Sequence, residues 1–249
     1  MNKLPQITIC FWIMKICATT LGETAGDLLS MTMNVGYAVS TIILFSVFLV
    51  TFAAQLVSKR YHPLLYWSVI LTTSTAGTTM SDFMDRTLGL GYMKGSAILL
   101  SCLVAILVFW RLRIGSLSVS EIRSRRVEFV YWIAILFSNT LGTALGDFLS
   151  DTSGLGFAGG ALLIAGLLAL VLAATYFTNI SRVALFWTAF VLTRPFGAQM
   201  GDILTKPHEK GGLDLGTIGS SFVLALILGI FILFTSRNEH KDTQTLREQ

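Results

Sequence analysis

The chain has 249 residues, 53% of them hydrophobic and 13% charged, with 18 Lys and Arg against 14 Asp and Glu. Soluble domains carry about 25% charged residues, and the apolar residues here fall into blocks of about 20, the length that crosses a hydrocarbon core of about 30 Å. An ordinary soluble domain is therefore excluded, and nothing in the small positive excess points to nucleic acid. The expectation is an all-α, polytopic membrane protein whose first partner is the lipid bilayer.

Eight spans are predicted in chain order, at 7–29, 36–57, 64–84, 91–110, 127–149, 156–177, 183–204 and 215–236. The first follows a lysine, as a signal peptide does, but Lys15, Glu23 and Asp27 interrupt it and no small-residue cleavage site closes it. It therefore counts as a span. Cys10, Cys17 and Cys102 lie inside spans without a disulfide or CxxC pattern, and His62, His208 and His240 lie outside them. A basic loop, 113–126, separates spans 1–4 (residues 1–112) from spans 5–8 (residues 127–236). The polar tail 237–249 is expected to be disordered. Twelve of the eighteen Lys and Arg fall on the tails and the loops after spans 2, 4 and 6, while Arg86, Lys94, Lys206 and Lys210 fall on the other side. By the positive-inside rule both termini are cytoplasmic, in a multi-pass protein of the bacterial inner membrane.

A repeat runs through the odd-numbered spans. "FWIMKICATTLGETAGDLLS", "YWSVILTTSTAGTTMSDFMD", "YWIAILFSNTLGTALGDFLS" and "FWTAFVLTRPFGAQMGDILT" align without gaps from Phe11, Tyr66, Tyr131 and Phe186. Each has a Trp (Trp12, Trp67, Trp132, Trp187) and an Asp fifteen residues later (Asp27, Asp82, Asp147, Asp202). Between them lie two small residues at spacing four, expected to serve helix packing: Gly22/Gly26, Gly77/Ser81, Gly142/Gly146 and Gly197/Gly201. "NVGY", "GLGY" or "GLGF" follows three of the Asp residues, and the fourth copy has a five-residue-longer loop containing "KPHEKGGLDLG".

With these motifs the chain resembles a bacterial membrane-protein family built from four tandem two-helix repeats of unknown function, each with a characteristic tryptophan. The resemblance covers nearly the whole chain. It implies eight spans in four parallel hairpins and implies no activity.

Function is therefore read from the residues. Fifteen residues of helix place each Asp about 22 Å beyond its Trp, so the tryptophans are expected as interface anchors and the aspartates near the outer surface. Even-numbered spans hold almost no ionisable residue, which places them outside as a sheath around spans 1, 3, 5 and 7. The small pairs then let inner helices approach closely, and the four aspartates converge around a pseudo-fourfold or two-plus-two axis. Carboxylates at that depth are costly, and near helix C-termini the dipole disfavours them further. A bound cation would offset both. Glu23 breaks the fourfold pattern, since Thr78, Thr143 and Ala198 occupy its place. Glu23 and Asn139 join the four aspartates as candidates for binding the cation, and Lys15 and Arg194 are the expected gating or charge partners, either of which could pair with Glu23. Pro195 is expected to kink span 7.

The leading reading is a transporter or channel for a small cation, a divalent metal held by oxygen ligands, or else Na⁺ or H⁺. Asp27, Asp82, Asp147 and Asp202 are its expected metal ligands. The competing reading is a non-transporting scaffold or sensor in which Gly and Asp serve packing. No cofactor is implied. The G-x-G-D signature of intramembrane aspartyl proteases is missing, because Thr24, Thr79, Ala144 and Gln199 occupy its first Gly position, so no enzyme activity is expected.

Overall fold

The computed structural model describes residues 4–245 apart from 120, 121 and 123, with side chains described to 236. It is all-helical among those residues. Eight long helices follow the predicted spans: α1 (Ile9–Asp27), α2 (Tyr37–Val57), α3 (Pro63–Asp82), α4 (Tyr92–Ile114), α5 (Arg125–Asp147), α6 (Gly156–Phe177), α7 (Arg182–Thr205) and α8 (Thr217–Thr245). Local chemistry sets several of their starts. The Thr8 and Ser124 side chains accept from the Phe11 and Val127 amides, and Pro63 opens α3 where its missing N–H is not needed. Gly36 and Gly91 cap α2 and α4 at φ of 80° and 73°, a left-handed geometry in which a side chain is strained. α7 stays helical through Pro195. The tail expected to be disordered continues the α8 backbone to Thr245, while the expectation for 246–249 lies outside the described residues.

Helices α1, α3, α5 and α7 form a closed inner ring, with α1 on α3, α3 on α5, α5 on α7 and α7 on α1. Aromatic contacts repeat that cycle. Phe11 meets Trp67, Tyr66 meets Trp132, Tyr131 meets Trp187 and Phe186 meets Trp12, with ring centres 5.5–6.2 Å apart. Trp67, Trp132 and Trp187 are thus buried and Trp12 half-buried. This corrects the anchor reading. The indoles turn inward because each repeat supplies an aromatic ring to cover the next repeat's tryptophan.

The glycines explain how the ring closes so tightly. A Cβ on Gly22, Gly77, Gly142 or Gly197 would run into Ser74, Asn139, Arg194 or Thr19 of the following repeat. One turn on, Gly26, Gly146 and Gly201 face Thr78, Ala198 and Glu23. Absent side chains on one helix make room for the side chains that the next helix aims at the axis. The expectation that Ser81 serves the same purpose is corrected. Its side chain is fully buried, and the hydroxyl donates to Asp85 Oδ2 at 3.3 Å on the turn that follows α3. Asp85 in turn lies against Gly95 of α4, where a Cβ would collide with its carboxylate. Ser81 is therefore a hydrogen-bond donor that holds a buried carboxylate, a task no glycine could perform.

The outer helices pack chiefly against helices outside their own repeats. α2 lies on α3, α4 on α5, α6 on α7, and α8 returns to α1. The sequence repeat is therefore a strap linking two neighbouring packing units. Among the described residues, five segments are long and apolar enough to cross a membrane: α2, α4, α6, α8 through Ser236, and α5 with its following turn. α1, α3 and α7 miss that measure because they carry the polar residues of the axis. Polarity is inverted relative to a soluble protein: Ile42, Val50, Leu162, Leu170 and Phe222 face outward while Lys15, Glu23 and Arg194 are buried.

Candidate functional site

Three layers of side chains from the inner ring meet on the axis. The first, one turn past the tryptophans, holds Lys15, Ile70, Ile135 and Phe190, all fully buried. The Lys15 ammonium has no hydrogen-bond partner and lies 4.3 Å from the centre of the Phe190 ring. It forms no ion pair with Glu23, so its expected role as a charge partner is corrected. Glu23 lies two turns further along α1, and Arg194 already fills that role.

The second layer is built on the Glu23 position. Arg194 is fully buried, and its Nη2 donates to Glu23 Oε2 at 2.9 Å and to Thr78 Oγ1 and Thr143 Oγ1 at 2.6 Å each. Both hydroxyls also donate to Glu23 Oε2, at 3.2 and 3.3 Å. Three of the four symmetry-related positions thus converge on one guanidinium nitrogen, and the fourth is the fully buried Ala198. Asn139 belongs one turn inward, where its amide donates to Thr73 Oγ1 at 2.9 Å. It is not part of the carboxylate cluster.

One turn further out the four aspartates arrive as two pairs. Lys206 Nζ bridges Asp27 Oδ2 at 2.6 Å and Asp202 Oδ1 at 3.2 Å. Arg86 bridges Asp82 Oδ1 at 2.9 Å through Nε and Asp147 Oδ2 at 3.1 Å through Nη2. The backbone explains the difference between the two bases. After Asp27, Asp82 and Asp147 the chain widens into a π-helical turn, at Leu28–Thr32, Phe83–Thr87 and Phe148–Thr152, and Arg86 sits inside the second. In the fourth repeat α7 ends at Thr205 without a π-helical turn, and Lys206 is extended, at φ −77° and ψ 154°. The longer fourth loop then folds back through the Leu213 amide to the Ile203 carbonyl.

Arg86 is clamped. Tyr37 and Tyr92, the tyrosines that open α2 and α4, lie 5.7 and 5.6 Å from its guanidinium, and its Nη1 also donates to the Tyr37 hydroxyl at 3.3 Å. Among the described residues, Lys206 has the Met31 sulfur at 3.9 Å besides its two carboxylates. Burial works against the charge on both bases, but the paired aspartates outweigh it and hold both above their ordinary ranges. Arg86 and Lys206 are the members of this cluster that the sequence did not single out. Their signal was a base four residues after Asp82 and Asp202, the i,i+4 pairing of a helix, hidden because both counted as loop charges.

The two halves are not equivalent. On the Lys206 side, oxygens of Glu23, Asp27 and Asp202, all buried, lie within 4.8 Å of one another. Oxygens facing each other across Ca²⁺ stand about 4.6–5.2 Å apart, so this trio suits a hard cation. Asp82 and Asp147, also expected as ligands, fall outside this trio. In these ion pairs five carboxylates, Glu23 and the four repeat aspartates, face three bases, Arg86, Arg194 and Lys206. The formal excess is two negative charges.

Four tandem stretches of the chain, residues 10–61, 65–114, 130–181 and 185–241, match the model of a family described as a Repeat of Unknown Function (DUF347). Each stretch contains one inner and one outer helix. No curated protein and no solved structure matches the chain.

Proposed function

The chain belongs to the DUF347 repeat family, and because that membership carries no activity we propose a function from the site itself: an integral membrane protein that binds and moves a small cation through the Glu23, Asp27 and Asp202 trio. The observation that carries this reading is the excess of carboxylate over base in the ion pairs at one end of the ring, with three of the carboxylates gathered in one buried trio. Uncompensated carboxylates in such surroundings are costly. A divalent metal offsets two charges at once, and Na⁺ or H⁺ offsets one. The outward-facing leucines, isoleucines and valines of the outer helices support the membrane setting, with the basic 113–126 loop and both termini on the cytoplasmic side. Lys206 then stands where the cation goes, as a tethered ammonium that an arriving ion displaces. Arg86, forked and ringed by tyrosines, is the fixed half of the cluster.

The test is thermal stability of the purified protein across Mg²⁺, Ca²⁺, Mn²⁺, Co²⁺, Zn²⁺, Na⁺ and pH. A ligand at a hundred times its Kd stabilises by about 2.7 kcal/mol. One cation is expected to stabilise wild type, to act at lower concentration on Lys206→Gln, and to have no effect on Asp27→Asn/Asp202→Asn. Absence of any ion response in Lys206→Gln would overturn the reading. One observation favours a non-transporting scaffold or sensor: every repeat aspartate already has a basic partner, and Glu23–Arg194 closes the axis. In that case the Asn variants lose stability and no ion changes it.

A further inference from the structure

α6 departs from the pattern of the other outer helices. The faces that α2, α4 and α8 turn to the ring are buried along their length, by Phe48, Phe52 and Gln55, by Leu103 and Trp110, and by Leu228 and Ile232. The repeat register places Leu168, Leu172 and Thr175 at the same positions of α6. There the last buried residue is Ile164, and Leu172 is 59% exposed. The final half of α6 stands away from α7 and α1, over a groove of about 510 Å³.

Other quadrants of the ring fill this place with their own side chains. Phe52 meets Phe129 at 5.6 Å, and Trp110 meets Trp187 at 5.6 Å while the Leu117 carbonyl accepts from the Trp187 indole. In the fourth quadrant Trp12 lines an open groove, which is why it alone among the five tryptophans is not buried. Ile13, Ile16, Leu168 and Leu172 line it too, and its one charged residue is Arg182. The Thr175 carbonyl accepts from the Arg182 guanidinium and holds it where α6 and α7 join.

We propose that this groove binds an anionic phospholipid, one acyl chain lying along Trp12, Ile16 and Leu172 and the phosphate meeting Arg182. The charge pattern selects this occupant. A long apolar trough ending in one arginine matches an acyl chain ending in a phosphodiester. Arg111, Arg113 and Arg125 lie at the same end of the bundle, the end that faces an anionic leaflet in the proposed orientation. The inference rests on the membrane reading and is independent of the cation site.

Trp12 supplies the measurement. The full chain is reconstituted into vesicles containing brominated phosphatidylglycerol or brominated phosphatidylcholine at equal mole fraction, and quenching of Trp12 is taken as wild type minus Trp12→Phe. The expected result is quenching by both lipids, with a preference of about fivefold for phosphatidylglycerol, the effect of one arginine at a membrane surface. Arg182→Gln should remove the preference and keep the quenching. Leu168→Phe/Leu172→Phe, which installs the phenylalanines of α2, should remove the quenching while the protein stays folded by circular dichroism. Equal quenching by the two lipids in wild type would overturn the proposal. So would an unquenched Trp12 in a dimer that the double Phe variant dissociates, an outcome that gives the groove to a second copy. Failure of the chain to float with the vesicles would refute the membrane reading itself, whereas flotation with Trp12 unquenched would refute the groove alone.

Discussion

Replacing Arg194 by Met tests whether the axis is held by one shared guanidinium. Arg194 is fully buried and the Glu23 side chain is 4% exposed, so the variant leaves a carboxylate facing two threonine hydroxyls and no cation. Breaking a buried pair from one side costs about 3–5 kcal/mol. At about 2–4 °C of midpoint per kcal/mol for a chain of this size, the transition should fall by roughly 6–20 °C. Glu23→Gln should cost a comparable amount, because it leaves the guanidinium unpaired. The double variant Glu23→Gln/Arg194→Met removes both charges together and should be more stable than either single one. Reversible unfolding in detergent, followed by circular dichroism across all four proteins, gives the coupling directly. Additivity within about 0.5 kcal/mol is the behaviour of independent sites and would refute the reasoning.

Gly22→Ala forces a methyl group into Ser74 and should cost about 1–3 kcal/mol as overpacking. Gly229→Ala, where a Cβ meets nothing within 4 Å, should gain about 0.5–1 kcal/mol of helix propensity, and paired melts separate the two. Lys15→Met should raise stability, by about 1 kcal/mol or more, since it removes a buried amine without a hydrogen-bond partner and keeps its length; a lower midpoint would mean that the contact with Phe190 outweighs the burial. Asp82→Asn/Asp147→Asn should lower stability by releasing Arg86 yet leave any ion response of the Lys206 half intact, as ion titrations of the variant will show.

The helices were legible because apolar blocks of span length and glycine punctuation are local signals, and the repeat register was legible because four copies share it without gaps. Partnership was not. The side-chain pattern of α2 specifies an apolar surface without specifying whether α1 or α3 receives it, so the strap arrangement emerges only in three dimensions. The tryptophans misled for a related reason. A residue at interface depth can face lipid or the bundle, and depth is all that the spacing gives. Ser81 misled because size alone groups it with the glycines, whereas its hydroxyl answers to Asp85, a residue outside the shared pattern. At the site, Asp27 and Glu23 were readable as costly groups needing compensation, and Arg194 was one of two named partners for Glu23. Lys206 was hidden because its action depends on the helix stopping after Thr205, a backbone event that the fourfold pattern does not announce.

Because α8 rather than α2 covers α1, synthesis meets the ring in an awkward order. α1 is the first helix made, yet its outer cover is the last, and Glu23 has no guanidinium until residue 194 has been added. For most of translation, therefore, Lys15, Glu23 and Asp27 wait without their final neighbours, in the company of the insertion machinery or of water. The ring gains its last cover when α8 reaches α1. A version rejoined between 236 and 7 and opened within the 113–126 loop would bring α1 and its cover out together, with every helix contact of the ring preserved and only the order of arrival changed.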